Sequence, residues 1–158
     1  PGQGLPALYP FIQEDLELSR AQVGFITSVV LGGGILSVFL GGWLTDVLGA
    51  RRVIVISTAL LAASVMAGFP LVNSYITLLV VGAVVGVFEG PGYPASSRVI
   101  MDWLPRRTRG MAMGIKQTGV PLGGAIAAVV LPSVAVALGW RVASVVLGGG
   151  VLLVAIVF

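Results

Sequence analysis

GGWLTDVLGARR, Gly41 to Arg52, sets three charges into a short turn between two long apolar stretches. Asp46 falls near the end of the first stretch, where the negative pole of a helix disfavours an acid unless cations or another helix's N-terminus stand close. Arg51 and Arg52, just beyond Gly49, supply such cations. An ordinary polar turn between two membrane helices would show the same contrast, so the meaning of the turn depends on the chain around it.

That chain is 57% hydrophobic and 9% charged, with a mean hydropathy of +1.06. A soluble domain carries about 25% charged residues. This much apolar surface has no place in water, and a lipid bilayer is the partner it requires. Nine cations against six acids give a net charge of +3, which reads as membrane topology and not as nucleic-acid binding. Cysteine and histidine are both absent, so disulfides, thiol chemistry, imidazole bases and the usual zinc sites are excluded. No cofactor or metal is called for.

The apolar runs approach the roughly 20 residues that span the hydrocarbon as a helix. Residues 1–13 read as the outer end of a first span, followed by the acidic connection Glu14, Asp15 and Glu17. A second span runs over about 21–45, a third over 52–69, a fourth over 75–103 and a fifth over 110–138. Gly139 and Trp140 form the next turn, and a sixth span begins near Arg141. The chain opens at Pro1 in mid-pattern without a recognisable signal peptide, and both end spans are expected to be truncated.

The turn resembles the signature loop of the major facilitator superfamily, G-x-x-x-D-x-x-G-x-[RK]-[RK], through Gly42, Asp46, Gly49, Arg51 and Arg52. Val47 and Ala50 stand where that pattern often has further basic residues. The resemblance implies an all-α integral membrane protein of the major facilitator fold, here a partial N-terminal six-helix bundle occupying residues 1–158. It further implies a C-terminal half of the same transporter as partner, and a loop that latches the cytoplasmic side, with Asp102 as a further member. The positive-inside rule gives the same orientation independently. Arg51, Arg52, Arg106, Arg107 and Arg109 lie in the 2–3 and 4–5 loops, against Arg20 and Arg141 on the opposite connections.

Only Glu89, Arg98 and Lys116 among the charged residues fall well inside spans, and ionisable groups at that depth usually face a polar cavity or a partner. Glu89 opens EGPGYPA, in which Pro91 and Pro94 remove backbone donors and Gly90 and Gly92 permit bending, so a break is expected beside it. Glu89, Gly90, Tyr93, Pro94 and Ala95 resemble the fourth-span segment of the anion-cation symporter branch, and the fifth span has features of the nitrate-cyanate permease-like branch. Gly82 stands where many of those relatives carry Arg. By resemblance, Glu89 is the candidate for ion coupling, and Tyr93, Arg98, Lys116 and Gln117 are candidates for holding a solute.

Arg98 lies five residues before Trp103 and Lys116 seven beyond Arg109, which at roughly 1.5 Å per residue gives the two cations similar depths. On antiparallel neighbours they could converge on one anion. The alternatives are an i,i+4 pair of Arg98 with Asp102, shared with Asp46, and a Lys116 that snorkels to the interface. Gly82, Gly86 and Gly90 recur every four residues as a small-residue packing face, and Gly32 to Gly34 and Gly148 to Gly150 read the same way. Gly119, Pro121 and Gly123, within GIKQTGVPLGG, resemble the superfamily's fifth-span antiporter motif with a one-residue offset, and antiport is not read from it.

An enzyme would need a nucleophile with a base, a metal cluster or a carboxylate pair, and none is present. No filter-like repeat suggests a channel. The expected function is therefore secondary transport of a small solute, an organic or inorganic anion being the favoured class. It would proceed by alternating access in the cytoplasmic (plasma) membrane, as symport or antiport, with no nucleic-acid partner. A transporter-like sensor that binds solute without moving it is the alternative.

Overall fold

The computed structural model describes residues 4–157, which are helical from end to end with no strand among them. A 3-10 turn (Leu5–Leu8) leads into α1 (Tyr9–Asp15). Then come α2 (Arg20–Leu48), α3 (Ala50–Ala63), α4 (Tyr75–Glu89), α5 (Gly92–Trp103), α6 (Arg109–Leu138) and α7 (Trp140–Val157). Four stretches are long and apolar enough to cross a membrane: Arg20–Leu48, Ala50–Leu71, Tyr75–Trp103 and Arg109–Leu138, with Trp140–Ile156 a shorter apolar helix. The helices carry their apolar side chains outward: Leu36, Phe39, Val129 and Val136 are all more than 70% exposed, as suits lipid and not water.

Capping chemistry starts two of the helices. Ser19 Oγ accepts from Gln22 N at 3.2 Å while Gln22 Oε1 accepts from Ser19 N at 2.8 Å, a reciprocal box that opens α2. Ser74 and Thr77 form the same arrangement at the start of α4. The fourth span divides as expected beside Glu89: α4 stops there, and α5 resumes at Gly92 after Gly90 and Pro91. The third span, expected to be one helix over 52–69, departs from that reading. Regular α-helix ends at Ala63, a π turn covers Ser64–Gly68, and a 3-10 turn covers Phe69–Leu71. Pro70 has no N–H for the carbonyl four residues back, and the widened and then tightened turns accommodate that loss.

The tightest packing in the bundle lies between α2 and the broken fourth span. A Cβ added to Gly86 would collide with the Val30 carbonyl, and one at Gly90 with Ser37 Oγ and the Gly34 carbonyl. One at Gly33 would stand 3.0 Å from the Ala83 carbonyl, and one at Gly41 would meet Pro91. Ser37 Oγ donates to the Gly34 carbonyl at 3.0 Å and reaches the Gly86 carbonyl at 3.4 Å, so the contact is sealed by a hydroxyl as well as by fit. The four-residue glycine repeat on α4 is therefore a packing face. Gly32, Gly149, Gly150, Gly119 and Gly123 are not part of such contacts: a Cβ at Gly32, Gly119, Gly123, Gly149 or Gly150 meets nothing within 4 Å. For Gly119, Gly123 and the exposed Pro121, which were expected to pack, the reason is that α6 touches the bundle along one flank only. Gly148 does serve, against Met66 and the Ala62 carbonyl at the π turn.

Two turns share one construction. Gly49 (φ 85°, ψ 147°) and Gly139 (φ 88°, ψ 155°) each join two helices in the left-handed region that a side chain resists. Each donates its N–H to a carbonyl four residues back, Thr45 at 3.1 Å and Ala135 at 2.9 Å. The α2–α3 and α6–α7 hairpins thus repeat at opposite ends of the bundle, in keeping with the inverted repeats on which transporter folds are built. At the outer end, Arg141 pairs with Asp15 at 3.1 Å and donates to the Val72 carbonyl at 3.1 Å, while Trp140 Nε1 donates to Asp15 at 3.1 Å. The Arg141 guanidinium also lies 4.5 Å from the centre of the Trp140 ring. This cluster ties the end of α1 and the loop before α4 to the start of α7.

Gly86→Ala is expected to force α2 and α4 apart and lower stability by about 1–3 kcal/mol, the usual cost of overpacking. Gly24→Ala, where an added Cβ meets nothing within 4 Å, is expected to be neutral or slightly stabilising. Thermal melts of the two variants in detergent check the contrast.

Candidate functional site

The charged groups inside the spans sort into two places. At the end shared by the α2–α3 turn and the α5–α6 loop, Arg98 reaches in two directions. Its Nε donates to Asp102 Oδ2 at 3.0 Å, one turn on along α5, and its Nη1 lies 3.6 Å from Asp46 Oδ1 on α2. Both contacts are more than half exposed. A cleft of about 330 Å³ beside them is lined by Gly49, Arg51, Arg52, Val99, Asp102 and Trp103 among others. The turn is therefore fastened to the end of the broken fourth span, with Gly49 supplying the bend and Asp46 the charge. Gly42 lies on α2 one turn before Asp46 and has open space where a Cβ would be.

The second place is a cleft of about 410 Å³ between α2, α5 and α6, lined by Val38, Tyr93, Pro94, Ser97, Met113, Lys116 and Gln117. Lys116 Nζ donates to Ser97 Oγ at 2.7 Å and to the Tyr93 carbonyl at 3.2 Å. Ser97 Oγ in turn donates to that same carbonyl at 2.9 Å. Among the described residues no carboxylate lies within ion-pair distance of Lys116, so its charge meets only neutral acceptors here. Two acceptors leave one of the three ammonium donors for another group.

Arg98 and Lys116 do not converge. Arg98 has turned to Asp46 and Asp102, and Lys116 to the first turn of α5. The reason is local: Asp102 is four residues from Arg98 on one helix, the spacing at which side chains meet, whereas Ser97 and Tyr93 hold Lys116 from the adjoining face. Glu89 ends α4, half-buried, and lies within electrostatic reach of the phenols of Tyr9 on α1 and Tyr93 on α5. It does not line the Lys116 cleft. Of the solute candidates, Tyr93, Lys116 and Gln117 are thus brought together, while Arg98 and Glu89 stand apart.

Ser97 was missed in the sequence although its signal was present: it lies four residues from Tyr93, on the same helix face. Pro94 stood in the fourth-span pattern for its backbone effect and lines the cleft as well. Val38 and Met113 are apolar positions in apolar spans and carry no such signal.

Apolar spans around a few internal charges define a multi-pass membrane protein. The chain belongs to the major facilitator superfamily, whose family model matches residues 3–158. Over 140 residues it is 34% identical to the probable sulfoacetate transporter of Cupriavidus necator, covering 88% of this chain and 32% of that protein. It is 34% identical over 139 residues to the hexuronate transporter of Bacillus subtilis, covering 87% of this chain and 32% of the relative. It is 28% identical over 139 residues to the D-galactonate transporter of Escherichia coli, with the same two coverages. The family and these relatives are transporters and not enzymes. The chain spans about a third of the length of the curated relatives it matches.

Because the Arg98 pairs stand in water, a double-mutant cycle of Asp46→Asn with Arg98→Gln is expected to give a coupling energy of no more than about 1 kcal/mol, falling with added salt. Chemical unfolding of the four proteins at low and high ionic strength measures it. A salt-independent coupling of several kcal/mol would show that the pair is desolvated.

Proposed function

We propose that this chain is the amino-terminal six-helix half of a secondary active transporter that carries a small anionic solute across the cytoplasmic membrane by alternating access. A carboxy-terminal half of the same protein would close the Lys116 cleft from the opposite side. The observation that carries the reading is the Lys116 ammonium, placed on an open cleft with neutral acceptors and a donor to spare. Desolvating such a charge is costly unless an anion joins it, and a bound solute anion is that partner. Relatives named for sulfoacetate, hexuronate and D-galactonate support the same class of cargo. Glu89, a half-buried acid beside the break between α4 and α5, is the candidate for proton coupling. Asp46, Arg98, Arg51 and Asp102 form the latch that holds the inner side closed in one phase of the cycle.

Uptake by the full-length protein in proteoliposomes under an imposed pH gradient tests this reading. Wild type should accumulate an organic anion. Lys116→Gln should weaken anion affinity by about 1.5–3 kcal/mol, the worth of a hydrogen bond to a charged group. Glu89→Gln should abolish gradient-driven accumulation while leaving solute exchange. Binding without accumulation would make the protein a sensor, and unchanged anion affinity in Lys116→Gln would remove Lys116 from the site.

The orientation rests on the five loop cations at one end of the bundle. In intact cells, a single cysteine replacing Arg106 should react with an impermeant thiol reagent only after the cells are opened. Labelling from outside would invert the topology.

A further inference from the structure

The Lys116 cleft holds more information than the sign of its ligand. Lys116 is the only charged residue among those lining it. Arg98, the cation at similar depth that could have supplied a second positive charge, is committed to Asp46 and Asp102. The three side chains Arg98, Asp46 and Asp102 together carry a net negative charge, so this neighbourhood repels a second anionic group. The rest of the wall is mostly carbon: Val38, Pro94, Met113 and the ring of Tyr93. Gln117 and Ser97 are the remaining polar groups, and Ser97 Oγ already accepts from Lys116 and donates to the Tyr93 carbonyl.

A ligand matched to this surface presents one charged head to Lys116 and Gln117 and an apolar body to Val38, Pro94 and Met113. We infer that the solute is a small monoanion with an apolar body, such as a short aliphatic or aromatic carboxylate, and not a dianion or a polyhydroxylated sugar acid. The inference rests on the reading of the protein as an anion transporter and narrows it. A second carboxylate would lose its water without a cation to receive it, which costs more than the 1.4 kcal/mol of one tenfold step in affinity. The hydroxyls of a sugar acid would face carbon where they need hydrogen-bond partners. The cleft of about 410 Å³ also suits a solute of this size.

The test is a ranking on the purified full-length protein, by quenching of tryptophan fluorescence or by thermal shift. The probes are butyrate and benzoate, glucuronate, succinate and inorganic phosphate. Butyrate or benzoate should bind at least about tenfold more tightly than succinate, glucuronate or phosphate. In Gln117→Arg, which adds the missing second cation on an exposed position of α6, the ratio of succinate to butyrate affinity should rise at least about tenfold. Tighter binding of succinate, phosphate or glucuronate by wild type would overturn the inference and leave anion transport intact. Uptake of a neutral solute with no anion bound at all would overturn both. If Gln117→Arg does not fold, the wild-type ranking decides alone. If it folds and the ratio does not move, Gln117 does not face the head group and the inference fails.

Discussion

The backbone-to-backbone contact of α2 with the broken fourth span is the constraint on which the other features depend. Lipid offers apolar side chains no incentive to leave it, so helices in a membrane are held by close fit and by hydrogen bonds. Here the fit is made where side chains are missing, at Gly33, Gly41, Gly86 and Gly90, with Ser37 bridging to the Gly86 carbonyl. That approach sets the position of α5 relative to α2. Asp46 can then reach Arg98, and Val38 can face Pro94 across the cleft.

The break between α4 and α5 has a separate task. A continuous helix would carry Glu89, Tyr93, Ser97 and Arg98 in fixed rotation, with the acid and the guanidinium on opposite faces. Interrupting it at Gly90 and Pro91 divides the span into two working parts. The first ends in an acid beside two phenols, and the second begins with the carbonyl and hydroxyl that hold Lys116. Irregular backbone at membrane depth survives where protein satisfies it, and Pro91, buried against Gly41, meets that condition.

How much of this could be read beforehand depended on whether the cause was local. The bend at Gly49, the break beside Glu89 and the i,i+4 contact of Arg98 with Asp102 follow from residues within a turn of one another. Each was visible in the string of letters. The family resemblance supplied the bundle, because its motif residues fix register as well as identity. What stayed hidden was set by neighbours distant in the chain. Nothing in the sequence separates Gly86, pressed on a carbonyl, from Gly123, which stands open, since that difference lies in which helix comes alongside. The grouping of Asp15 with Trp140 and Arg141 spans most of the chain and has no local sign. The π turn after Ala63 was missed although Pro70 was in view, because a proline states which bond is lost and not how the backbone absorbs the loss.

The paired glycine turns carry a consequence for how such a chain can drift. Each is followed, two residues on, by an arginine: Arg51 after Gly49 and Arg141 after Gly139. Both arginines stand in the first turn of a helix, at its positive pole, the place where a cation is least welcome. Each has an acid from another span close by, Asp15 pairing with Arg141, and Asp102 lining the same cleft as Arg51. The acid at each end thus compensates for a position that the helix itself disfavours. Cation and acid are tied as alleles of one another: losing either alone leaves a charge at an unfavourable pole, whereas replacing both with neutral residues removes the conflict, so the two sites are free to change together and penalised when they change one at a time.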